Sequence, residues 1–196
     1  MYLEVKIVSA GCLDVKNPPV YPARVEDEVD RLVRAWKRER PDLDASPMQV
    51  LSRVTRLAHH LDQARSQVFS RHDLAQWEFD VLAALRRSGR PYQLSPGQLL
   101  RETLVTSGTM TNRLDRLESR GLLARLPDPG DRRGVLVRLS ADGRRRVDAA
   151  IAGLLTEERA LLAGLDAADM RRLADLLRRL VAPFDDRAHE SPTTLR

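Results

Sequence analysis

Asn112 and Arg116 stand four residues apart in the stretch 107–120 and carry the two side-chain types best matched to base edges. A carboxamide can pair bidentately with adenine, and a guanidinium with guanine. On a helical wheel the stretch gathers Met110, Leu114 and Leu117 on one side. Gly108, Thr109, Asn112, Asp115 and Arg116 fall on the other. Small residues near the start let a backbone approach a major groove. The hydroxyls of Ser107, Thr109 and Thr111 sit where a helix N-terminus attracts phosphate. Taken alone, the segment fits an ordinary amphipathic surface helix equally well.

A second cluster tips the balance toward nucleic acid. Asp131-Arg132-Arg133 falls in the run 127–134, a turn-forming tip between two strand-like runs, 122–126 and 135–139. Arginines on a protruding tip suit the minor groove, where negative potential is focused. Arg125 and Arg138 flank the tip, and Asp131 is placed to orient a neighbouring Arg by ion pairing. The charge is concentrated in the same place. Residues 86–146 hold 14 Arg, no Lys and 6 acids, whereas the rest of the chain has 19 basic and 22 acidic residues. Such asymmetry suits a polyanion-binding module in a neutral or acidic scaffold. Only three of the 33 basic residues are Lys, so a general arginine bias contributes as well.

The positioning elements follow from apolar spacing. Val25, Val29, Leu32, Val33 and Trp36 recur at helical intervals until Pro41. Ser46-Pro47 reads as a helix start, followed by a stripe of Val50, Val54, Leu57, Leu61, Ala64 and Val68 that predicts a long helix buried on one side. Trp77, Val81, Leu82 and Leu85 mark a third helix. Ser95-Pro96 opens a short one over 97–102, and Thr106 is set to cap the helix over 107–120, which Gly121 stops. After the hairpin, Ser140 caps a helix over about 142–162, and Asp166 caps a last one to about 181. The expected segments are a loose arm at 1–24, dimerisation helices at 25–72, a DNA-binding unit at 73–140, further dimerisation helices at 141–182 and a frayed polar tail at 183–196.

Other chemistries find little support. There is no nucleophile–base pair and no Gly-rich phosphate loop, so catalysis is not expected. His59 and His60 are adjacent and point apart on a helix, His72 is remote, and no metal or cofactor is expected. The single Cys12 cannot form an internal disulfide. No apolar run approaches membrane length, and the start lacks a signal-peptide pattern, so a cytoplasmic protein without membrane partners is expected.

Taken together, 106–118, Arg120-Gly121-Leu122, 128–133 and 139–143 resemble the recognition helix, the wing and the next helix start of the multiple-antibiotic-resistance-regulator (MarR) family. By element order the resemblance covers about 27–182. It implies a mainly α fold with a small β-hairpin wing, a winged helix-turn-helix. It also implies a homodimer paired through the first and last helices, on a palindromic double-stranded DNA operator. The stripes Val29-Leu32-Val33-Trp36 and Leu173-Leu176-Leu177-Leu180-Val181 would form that pairing.

Three positions remain odd. Asp80 interrupts an apolar helix and lies near Ala83, Ala84 and Trp77 rather than on a polar face, which predicts a buried carboxylate in need of a cation. Arg113 sits about 65° from the apolar centre of its helix, on the flank. Trp36 is larger than a simple helix contact needs. The set resembles the urate-responsive subgroup of the family, and the motif match would make Trp36, Asp80, Arg113 and Arg125 ligand-binding residues. A purine anion such as urate or xanthine would stack on indole, donate N–H groups to Asp80 and receive Arg. Citrate or aconitate is the competing ligand class. An interface tryptophan with a structural Asp80–Arg113 pair would use the same residues without a ligand, whereas a non-specific architectural nucleic-acid-binding protein would need no special residue at Asn112 or Trp36.

Overall fold

The computed structural model describes residues 26–103 and 106–189, without the side chains of 132 and 185–189. The arm, with Cys12, lies outside the described residues, as does the chain after 189. Two compact units are present, one over 26–157 and the other including the chain from 158 onward.

In the first unit, α1 (Glu28–Glu39) and α2 (Met48–Arg71) form an antechamber with its own small core of Val29, Val33 and Ala45, flanked by Met48. Asp27 caps α1 through a reciprocal bond pair with Asp30. Arg53 reaches across from α2 to both of these carboxylates, at 2.8–2.9 Å. The expected start of α2 differs in detail. Ser46 donates its N–H and hydroxyl to Asp44 instead of capping, and Pro47 stands at the N-cap with no side-chain bond.

The expected burial of the α2 stripe is also corrected. Val50, Val54 and Leu57 are exposed in the subunit, and only Val68 and Phe69 are fully buried. The end of the helix packs on the main core through Val68 and Phe69, whereas its first half lies beside α1.

The main core joins α3 (Gln76–Arg87), α4 (Pro96–Thr103), α5 (Ser107–Ser119), the sheet and the start of α6 (Ala141–Leu161). Phe69 stacks on Phe79 with centroids 4.2 Å apart. Leu82, Leu85, Leu99, Met110, Leu114, Leu117, Leu122 and Val137 are enclosed around them. Strand β2 (Leu123–Asp128) pairs antiparallel with β3 (Asp131–Leu139) from Leu123↔Leu139 outward, with an irregularity at Pro127/Asp128. A third strand, β1 (Gln93–Leu94), adds to β3, giving the order β1-β3-β2. Two residues are too few to show a period in sequence.

Ser95 and Gln98 form a capping box at α4, and Ser140 Oγ accepts from Gly143 N–H at α6. Thr106 is the N-cap of α5 by backbone, but its hydroxyl meets Thr109 Oγ1 at 3.0 Å instead of a backbone N–H. In the second unit Asp166 caps α7 (Ala167–His189) as expected. That helix continues past Pro183, where a frayed tail was expected. Proline removes one hydrogen bond, and a local bend can absorb its ring.

Gly143 fixes how α6 leaves the wing. A Cβ there would lie 2.1 Å from the Leu122 carbonyl oxygen, which is already occupied by the Ser140 N–H. Gly143→Ala is expected to cost about 1–3 kcal/mol of stability, as overpacking does. Thermal unfolding of the two proteins checks this; an unchanged midpoint would show that α6 shifts freely.

Candidate nucleic-acid interface and effector site

The short helix α4, its turn and α5 form a helix-turn-helix, and the hairpin projects beside it. Met110, Leu114 and Leu117 bury the inner side of α5. Ser107, Gly108, Thr109, Thr111 and Asn112 are exposed, so the first turn and a half offers small and polar groups to solvent. Gly121, at φ +68°, turns the chain out of the helix.

Both flanks of α5 are held. On one, Arg125 of β2 donates to Asp115 at 2.7 Å and to Glu118 at 2.6 Å, and its own N–H meets Glu118 Oε1 at 2.9 Å. These bonds, the backbone one first, hold the Glu118 carboxyl below its usual pKa. On the other flank, Arg120 at the C-cap donates Nη1 to the buried Glu78 at 2.6 Å. Its Nη2 goes to the backbone oxygen and carboxylate of Asp73. Arg146 of α6 reaches the same Asp73 carboxylate at 2.6 Å. That bond first, and then the field of Arg120, keeps the Asp73 pKa low. The sequence reading missed this network, although a glutamate among the apolar residues of α3 was its signal.

At the wing, Asp128 Oδ1 accepts the Gly130 N–H and Asp131 Oδ1 accepts the Arg133 N–H. Asp131 thus shapes the turn by accepting a backbone N–H. Arg133 is exposed, and the Arg132 side chain lies outside the described atoms. Arg138 donates to Gln93 and ties β3 to β1.

Arg116 is exposed, but its guanidinium carbon sits 5.2 Å from the centre of the Trp77 ring. It therefore occupies the edge of the outward face of α5. Arg113 lies over the same ring at 5.4 Å. Asp80, expected to be buried, is exposed as a residue. Its carboxyl is nonetheless crowded enough for desolvation to raise its pKa, against the fields of Arg113, Arg65 and Arg87.

Asp80 and Arg113 therefore share one electrostatic neighbourhood. Trp36 does not line that neighbourhood. It is 46% exposed on α1 and borders an open cavity of about 320 Å³ with Arg40, Leu43, Asp44, Ala45, Pro47 and Met48. Arg125 has its guanidinium engaged at the opposite flank of α5. Trp77, one turn before Asp80, carries both arginines and was not singled out from the sequence. Among the described residues no cluster of His, Cys, Asp or Glu is placed to hold a metal, and no helix is long and apolar enough to cross a membrane.

A helix-turn-helix followed by an antiparallel wing defines a winged-helix DNA-binding protein. Residues 72–134 match the model of the MarR family. The chain is 39% identical over 153 residues to the HTH-type transcriptional regulator PecS of Dickeya dadantii, covering 78% of this chain and 92% of PecS. It superposes on an E. coli MarR mutant complexed with operator DNA at a TM-score of 0.59 and 27% identity, over 71% of this chain and 99% of MarR. It also superposes on Bordetella bronchiseptica BpsR, whose DNA binding is regulated by 6-hydroxynicotinic acid, at 0.51 and 30% identity, over 65% and 98%. The chain belongs to the MarR family of transcriptional regulators.

Arg120→Ala would strand Glu78 and should cost about 2–4 kcal/mol in urea unfolding at fixed protein concentration. Glu78→Leu with Arg120→Met should recover most of that loss; equal damage in both variants would refute the pairing. Asp73 has a lowered folded pKa. Its contribution is therefore present above the ordinary carboxylate range and lost as pH falls through the lowered value. The stability gap between wild type and Asp73→Asn should narrow as pH drops below about 4. A gap independent of pH contradicts the charge pairing.

Proposed function

We propose that this chain is an operator-specific regulator, most simply a repressor, that works as a homodimer and is released from DNA by a small planar anion. The observation that carries the DNA half is the exposed row Ser107, Thr109, Thr111 and Asn112 on a helix locked by Met110, Leu114 and Leu117. The row lies beside a wing carrying Arg132 and Arg133. Asn112 reads a base edge, and the hydroxyls and wing arginines hold backbone and minor groove. Arg116 reads a base from the edge of that face. The MarR–operator complex supports this placement.

The dimer is assigned to apolar faces that the subunit leaves open: Leu32 and Trp36 on α1, and Leu176, Leu177, Leu180 and Val181 on α7. Val29 and Val33 are already used between α1 and α2. On this reading residues 25–72 and 141–182 serve dimerisation and 73–140 serve DNA.

The effector is a purine anion, urate or xanthine, received by Asp80 as acceptor and Arg113 as cation. BpsR, whose DNA binding is regulated by 6-hydroxynicotinic acid, supports a planar heteroaromatic acid, and the resemblance to the urate-responsive subgroup points to a purine. Trp36 and Arg125 belong to the set by resemblance only.

A gel shift on the DNA upstream of the gene tests both halves. Binding should survive excess random DNA at moderate salt, with a specificity ratio of about 10³ or more. Asn112→Ala should cost about 1–3 kcal/mol and relax preference at one base position. Phosphate-only affinity, equal on random DNA, would favour the architectural reading. Millimolar urate should release the complex; release by citrate but not urate would overturn the purine assignment.

A further inference from the structure

Two guanidinium groups share one aromatic ring where α3 meets α5. Both Arg113, at 5.4 Å, and Arg116, at 5.2 Å, fall within the roughly 6 Å at which a cation is attracted to an indole face. The two arginines are three residues apart, so the ring spans most of one turn of the recognition helix. Trp77 is the second residue of α3 and rests partly buried against the main core. Asp80 follows about one turn later on the same side. A tryptophan needed only for packing would bury its ring. This one keeps part of its surface open and seats two charges that packing does not require.

Resting on the effector reading above, we propose that Trp77 is the stacking surface for a planar heteroaromatic anion and the part through which that anion acts on the recognition helix. A molecule stacked on that ring would compete with Arg113 and Arg116, which both lie over it. Stacking moves both guanidiniums aside. Arg113 swings from above the ring into the plane of the ligand, where its fork meets the anionic oxygens. Asp80, an acceptor when ionised, takes the ligand N–H groups. Arg116 loses its seat at the edge of the DNA face. The groups presented to the groove then change without any covalent step. The loss of operator affinity equals the preference of the anion for the rearranged state.

The other indole is less suited to this role. The cavity beside Trp36 includes neither Asp80 nor Arg113, and its one arginine, Arg40, is already clamped by Asp42 at 2.8 and 2.6 Å.

The chain has only two tryptophans, so Trp36→Phe and Trp77→Phe each leave one reporter. Urate titrated into the full-length proteins should quench the emission of Trp36→Phe saturably and leave that of Trp77→Phe unchanged. In parallel, operator affinity is measured with and without millimolar urate. Wild type should lose about tenfold or more, and Trp77→Leu less than about twofold, which isolates the ligand effect from any change in basal binding. If Trp77→Leu does not fold, the emission pair decides.

Quenching in Trp77→Phe but not in Trp36→Phe, or a full response in Trp77→Leu, overturns the role of Trp77 and leaves the effector reading intact. A wild type released by citrate alone overturns planar stacking. A wild type that responds to none of urate, xanthine, 6-hydroxynicotinate and citrate overturns the effector reading together with this inference.

Discussion

A buried carboxylate that must be neutralised sets the geometry of the DNA-facing half. Glu78 is 4% exposed, and an isolated charge there would be prohibitively costly. Arg120 meets it from the C-cap of the recognition helix, and Glu78 also accepts the Ala75 N–H, capping the helix it stands on. One group thus fixes where α3 begins and where α5 ends. The three buried residues of α5 fix its rotation about that anchor. The Arg125–Asp115–Glu118 cluster pins the opposite flank to the wing strand. With both flanks and the inner face committed, only one side of α5 is left to meet another molecule.

The same bonds change the meaning of the arginine excess. Within 86–146, Arg86 pairs with Asp148, Arg87 with Glu102, and Arg120, Arg125, Arg145 and Arg146 with acids near them. Arg113 and Arg116 lie on Trp77, and Arg144 lies over Tyr92. Much of the positive charge therefore holds the winged unit together, while Arg133 at the wing tip is exposed. Partly enclosed pairs of this kind specify orientation more than they add stability.

Legibility followed the length scale of each signal. Helices α2 to α6 were readable because their apolar residues recur over several turns, and the wing because Pro, Gly and Asp cluster at its tip. The two-residue β1 carries no period, and the exposed first half of α2 looked buried because an unpartnered apolar stripe and a core stripe have the same sequence. The exposed side of α5 was legible from its buried triple, because Met110, Leu114 and Leu117 determine what remains outside. The effector set was legible only in part. Asp80 and Arg113 come together because Arg113 reaches from α5 over Trp77 of α3 and its field reaches Asp80. Trp36 is exposed beside a separate cavity, and the engagement of Arg125 depends on two acids of another element. The aromatic beside Asp80 was in plain view at i−3, but a tryptophan in an apolar run reads first as core.

The account rests on a locked helix offering one specific face to each half of a two-fold operator. Hydroxyl-radical footprinting of the upstream DNA tests it most directly. Two protected patches about one helical turn, 10–10.5 base pairs, apart on a palindromic sequence are expected. Uniform protection that follows protein concentration and ignores sequence would contradict it.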